Sequence, residues 1–218
     1  MKPIEVRFLL GHQHSVPLLT RAGAFVPSAK QALERGVSVT NDAGLSESEF
    51  VYQVLVLGKL TTEADLYPWR MPVGAGRLFS YDQCMGQFNA EMKAAGKVGL
   101  LIHCHANATA KGLGNYRGVY YDGRSTLGTK AALAAVEAAS GYAIPTKSFE
   151  CGATENARAF GCINGAFPLS NVAAILVETC FLDNPNHYES ARSPVGIKLT
   201  TEWLSKVANA AKKALASN

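Results

Sequence analysis

Residues 98–107 read VGLLIHCHAN, and residues 173–178 read AAILVE. Each opens on a short unbroken apolar run and passes at once to residues that carry chemistry. Runs of this kind read as strands buried on both faces, the pattern of a parallel sheet covered by helices. Ile4 to Leu10 (IEVRFLL) reads as a further strand stopped by Gly11, and Gly118 to Tyr121 (GVYY) as another. Between the strands lie helical patterns. Ser46 and Glu49 have the spacing of a capping box, followed by an apolar stripe through Phe50, Val51, Val54 and Leu55. Tyr81 to Ala95 reads as a helix that Gly96 ends. Ser125 or Thr126 caps another that runs through Ala138. A last helix places Leu199, Trp203, Leu204, Val207, Ala208, Ala211 and Leu215 on one face. Residues 15–45, 61–80 and 141–170 read as loop-rich. The alternation predicts one α/β domain over 1–218, with a twisted, mostly parallel sheet and helices on both faces.

Composition agrees. The chain has 218 residues, 48% hydrophobic and 17% charged, which supplies a real core and excludes disorder as its main state. The net charge of +4 comes without a block of Lys and Arg, which argues against a nucleic-acid partner and suits an anionic substrate. Five scattered cysteines without a C-x-x-C speak against a disulfide framework and for synthesis in a reducing compartment. The opening MKPIEVRFLLGHQH does not read as a secretory signal, and no apolar run is long enough to span a membrane. The expectation is a soluble protein made in the cytoplasm. Work on a cell wall would then need release or export by other means.

In α/β sheets, function gathers at the carboxyl ends of the strands. Here those ends carry His12 and His14, His103 and His105, and Glu178. Residues i and i+2 of an extended chain point the same way, so each H-x-H pair can aim two imidazoles at one point. Two imidazoles and a carboxylate that leave one position open form a usual catalytic zinc set. A further carboxylate then handles the proton. Each residue also has a plainer reading. Histidines cap turns. Glu47, in a first helical turn, complements the helix dipole, while Glu49 belongs to the capping box. His187, in the polar stretch DNPNHYES, reads as solvated. Cys104 alternates to the face opposite its two histidines and reads as a small core residue. Glu178 is harder to dismiss, because a carboxylate at the mouth of a buried strand is costly without a partner.

Four segments, in order, resemble the zinc-dependent N-acetylmuramoyl-L-alanine amidases of the amidase 3 type, which cleave bacterial peptidoglycan. They are Gly11-His12, then Gly44-Leu45-Ser46-Glu47 before an apolar helix. Next comes Ile102 to Ala108 (IHCHANA), with GVYY shortly after. Last is Leu176 to Pro185 (LVETCFLDNP), the most specific of the four. The resemblance implies one zinc ion held by His12, Glu47 and His105, with Glu178 as general base and then acid. The implied reaction is hydrolysis of the amide between the lactyl group of N-acetylmuramic acid and L-alanine. Two departures stand out: Gln13-His14-Ser15 replaces a glycine-rich turn, and His103 replaces a small or hydroxyl residue. His14 and His103 are therefore candidates to replace a ligand or to touch substrate, and Asn107 to touch substrate. With no separate wall-binding module visible, the chain resembles a phage endolysin more than a division amidase. Other readings are a different zinc peptidase or deacylase on this scaffold, or a non-catalytic wall-binding or structural phage protein. An amidohydrolase barrel also opens with H-x-H but needs a longer chain. The oligomeric state is not written in the sequence, and a monomer is the starting expectation.

Overall fold

The computed structural model describes residues 2–10, 68–69, 81–107, 114–151, 163, 169–181 and 184–217. The helix opened by Ser46, and with it Gly11, His12, His14 and Glu47, lies outside the described residues. The described strands are β1 (Ile4–Leu10), β2 (Pro68–Trp69), β3 (Val98–Asn107), β4 (Arg117–Asp122), β5 (Thr146–Cys151) and β6 (Val172–Phe181). The described helices are α1 (Tyr81–Ala94), α2 (Thr126–Ala138), α3 (Pro185–Arg192) and α4 (Pro194–Ala216).

The strands form one sheet in the order β2-β1-β3-β6-β4-β5. β2, β1, β3 and β6 run parallel; β4 runs antiparallel to β6 and parallel to β5. The sheet is therefore mostly parallel, as expected, with one reversal. That reversal brings the start of β4 beside the carboxyl end of β6.

Helices cover both faces. On one, Met85, Phe88 and Met92 of α1 bury against Leu101, Val172, Ala174 and Leu176. On the other, α2 and α4 pack over Val6, Phe8, Leu100, Ile102, Val119, Ile175 and Val177. α2 presents Ala131, Ala132 and Ala135 inward, small enough for α4 to approach closely with Trp203, Leu204, Val207 and Ala211. Each large apolar side chain so buried contributes about 1.5–3 kcal/mol. The Trp203 indole N–H also donates to Thr146 Oγ1 at 3.0 Å, so β5 is tied to α4.

Helix ends follow local chemistry. Ser125 caps α2, its Oγ accepting the Gly128 N–H at 3.1 Å. α1 ends in a Schellman turn: Gly96 takes φ +65°, and Lys97 N–H reaches Met92 O at 2.8 Å. Asn184 and Ser193 cap α3 and α4, each followed by proline.

The observed elements depart from the sequence reading in five places. β3 continues to Asn107, so His103 and His105 lie within a strand and not beyond its end. β6 continues to Phe181, so Glu178 also sits inside its strand. The stretch 141–170 contains β5, and DNPNHYES contains most of α3. Leu199 is exposed, because α4 turns Thr200 and Trp203 inward. Among the described residues no helix is long and apolar enough to cross a membrane.

Candidate functional site

The carboxyl end of β6 lies between β3 and the start of β4. In register, His105 pairs with Glu178, and Glu178 pairs with Gly118. Paired residues project to the same face, and alternation sets which one. Leu100, Ile102 and Cys104 belong to the core under α2 and α4, whereas Leu101 belongs to the core under α1. His103 and His105 therefore project to the α1 face. Leu176 lies in the α1 core and carries Glu178 to the same side. An imidazole and a carboxylate thus stand on adjacent strands, each 8% exposed.

His103 stands one alternation deeper, in register with Leu176, and is fully enclosed. Substrate contact by His103 would require the surrounding chain to open. Cys104 faces the opposite core, as alternation predicts. Burial first, and the nearby Glu178 charge second, push its thiol well above the ordinary range. Cys104, Cys151 and Cys180 are buried free thiols.

Immediately after Glu178 the pairing slips. His105 pairs with Glu178 but Asn107 pairs with Phe181, a bulge in β6 at Thr179 and Cys180. Two contacts hold it. The Thr179 hydroxyl donates to His105 O at 2.9 Å, and Arg117 Nε donates to Thr179 O at 3.3 Å. Arg117 is buried. Its Nη2 donates to Thr200 Oγ1 at 3.1 Å, and its guanidinium lies over the Trp203 and Tyr142 rings at 5.1 and 5.8 Å. Burial lowers its pKa to about 10, so it stays cationic at neutral pH.

The floor beside Glu178 is aromatic. The Tyr120 ring stacks on Phe149 at 4.6 Å, and Tyr116 lies 5.5 Å from Phe149. Asn107, half-buried at the end of β3, donates Nδ2 to Tyr120 Oη at 3.4 Å. Burial, with the Glu178 charge second, raises the Tyr120 phenol beyond its usual range, so it remains a hydroxyl. A β-carbon on Gly118 would fall 2.6 Å from Tyr120 Cε2 and 3.4 Å from Glu178 Cβ, so the close approach of this ring requires glycine.

His187 is buried on α3. Its Nδ1 accepts the Phe181 N–H at 3.4 Å, and its own backbone N–H is capped by Asn184 Oδ1 at 3.2 Å. The polar composition of DNPNHYES concealed this. The readable signal was Asn184-Pro185, a cap followed by proline at the first helical position. Arg117, Tyr120 and Thr179 also escaped sequence reasoning. Alternation along GVYY would have put Tyr120 opposite Val119 and Tyr121, but nothing local marks Arg117 as buried or Thr179 as bulged.

Among the described residues no three His, Cys, Asp or Glu side chains form a group that could hold a metal ion. His105 and Glu178 supply a nitrogen donor and a carboxylate, the donor types a hydrolytic zinc site uses. β1 ends at Leu10, in register with Cys104.

The fold is that of the N-acetylmuramoyl-L-alanine amidases, the family whose segments the sequence resembles. The catalytic domain of CwlV from Bacillus (Paenibacillus) polymyxa is 14% identical, with a TM-score of 0.57, covering 93% of this chain and 95% of that one. Ami1 from Mycobacterium smegmatis is 15% identical, with a TM-score of 0.63 and 98% coverage of both chains. CwlD from Clostridioides difficile, solved with the GerS lipoprotein, is 12% identical with a TM-score of 0.56, covering 98% of this chain and 100% of that one. At these identities what is shared is the fold. No family model and no curated protein sequence matches the chain.

Proposed function

We propose that the protein is a zinc-dependent N-acetylmuramoyl-L-alanine amidase acting on bacterial peptidoglycan. The observation that carries this reading is the pairing of His105 with Glu178 on one face of the sheet, at the carboxyl end of the parallel strands, in a fold that amidases of known structure share. His12, Glu47 and His105 would hold the ion, and the described member of that set presents the right donor. Zinc held there supplies Lewis acidity for the carbonyl and makes hydroxide available near neutral pH.

The chain's own residues then have defined work. Glu178, enclosed within β6, accepts a proton from the attacking water. The water oxygen bonds to the lactyl carbonyl carbon. Glu178 returns the proton to the alanine nitrogen as the C–N bond breaks, leaving a carboxylate on the muramic acid and a free amine on the peptide. The bulge after Glu178, fixed by Thr179 and Arg117, sets the carboxylate's aim. Asn107 and His14 are the proposed substrate contacts. A lytic role of the endolysin kind goes with this reading.

Purified walls digested in the presence of zinc test it. Mass analysis is expected to show intact glycan and free stem peptides with N-terminal alanine. Glu178→Gln is expected to lower the rate about 100- to 10,000-fold while the zinc content stays near one per chain. Cleavage within the peptide would make the protein a peptidase instead. Wall binding without any cleavage would make it a binding module.

A further inference from the structure

The sheet row that holds His105 and Glu178 continues beyond them. Gly118 of β4 pairs with Glu178 on one side and with Lys147 of β5 on the other. His105, Glu178, Gly118 and Lys147 therefore stand side by side on the same face. Gly118 contributes no side chain, and the space above its Cα is taken by the Tyr120 ring. The surface between the Glu178 carboxylate and Lys147 is thus the aromatic floor of Tyr120, Phe149 and Tyr116. Lys147 is exposed, and its Nζ lies over the Tyr116 ring, 4.8 Å from the centroid. That contact favours a defined position for an otherwise loose cation.

We infer that Lys147, seated on Tyr116, is a subsite for a free carboxylate of the substrate's stem peptide, two strands away from the scissile amide. The inference rests on the amidase reading of the same site. Two strand spacings put the Lys147 backbone about 10 Å from that of Glu178. An extended peptide advances about 3.3–3.6 Å per residue, so a carboxylate on the first two or three residues after the cleaved bond falls within reach of the ammonium. Wall stem peptides carry a free carboxylate in that span when their glutamate is not amidated. The side chain of Arg117, the nearest other described cation on these strands, lies under α4 on the opposite face. The subsite therefore separates acidic stem peptides from amidated ones.

Calorimetric binding tests this without turnover. The probes are N-acetylmuramyl-L-alanyl-D-glutamate and its isoglutamine counterpart, each with the γ-carboxyl capped as a methylamide so that only the first keeps a free carboxylate, titrated into Glu178→Ala protein. The carboxylate form is expected to bind about two- to fivefold more tightly, the range of an exposed ion pair, with the gap narrowing as salt is raised. In Glu178→Ala/Lys147→Met, which keeps an apolar stem over Tyr116, the preference is expected to fall to unity. A preference that is absent, or that survives the double substitution, overturns the inference. Failure of the amidase reading is seen separately, as wild-type protein that releases no stem peptide from purified walls.

Discussion

Gly118 shows how little room the site leaves. Gly118→Ala places a methyl group 2.6 Å from Tyr120 Cε2, and the stacked Tyr120–Phe149 pair must shift to admit it. The expected loss is about 1–3 kcal/mol, read from the urea midpoint, together with a fall in amidase rate. Gly86 is the control. It lies exposed on α1, and a methyl group added there would meet nothing within 4 Å, so Gly86→Ala is expected to stabilise by about 0.5–1 kcal/mol. His187 gives a pH test. Burial first, and the Arg117 charge second, hold its pKa below the ordinary 6.5, against an opposing hydrogen bond to Gly114. The unfolded chain therefore binds the proton more readily. The neutral ring's contribution is full above pH 6.5 and declines as pH drops from there toward the folded-state value. Urea midpoints of wild type minus His187→Phe, taken from about pH 8 to 5, are expected to show this decline. A flat difference would sink the prediction. At this scale Glu178 was legible because an acid after AAILV is costly without a partner, whereas Gly118 was not, because its neighbour across the sheet is 60 residues away in sequence.

Strands and helices announced themselves in proportion to their burial. β3 and β6 are central and read as unbroken apolar runs, but their ends ran on through the polar residues of the candidate site, and the pattern there says nothing about pairing. β5 (TKSFEC) is outermost in the described sheet, so its polar residues looked like loop. The bulge in β6 was invisible because it is a property of two strands in register, not of either alone. Its physical support can be tested. Arg117→Met removes the donor to Thr179 O and also a buried charge, so global stability is expected to change by no more than about 1 kcal/mol. Hydrogen exchange at residues 178–181 is nonetheless expected to accelerate about tenfold, corresponding to about 1.4 kcal/mol of local opening, with β1 unaffected. Equal acceleration in both strands would show that Arg117 holds the fold at large and not the bulge.

For the whole molecule, the proposed zinc site would stabilise the fold as well as serve the reaction, because His12, Glu47 and His105 lie far apart in sequence. At free zinc a thousandfold above Kd the folded state gains about 4 kcal/mol, which corresponds to roughly 10 °C in Tm for a chain of this size. Chelation is expected to reverse the shift, Glu178→Gln to keep it and His105→Ala to lose it. A chelator-insensitive Tm would remove zinc from the account. The α/β class and the two covered faces were legible because periodicity and burial are encoded locally. The reversed direction of β4 was not, since a strand's pattern is the same read either way along the sheet.

The place of β6 in that order has a consequence for how the protein comes into being. It joins β1 and β3 to β4 and β5, although among the described strands it is the last to leave the ribosome. Without residues 172–181 the remaining pairings fall into two groups, β2-β1-β3 with His105 and β4-β5 with Gly118. Glu178, the proposed proton carrier, stands on the very strand that joins the two groups. On the proposed reading, a chain cut short before residue 172 would lack at once the strand that joins the sheet and the group that handles the proton.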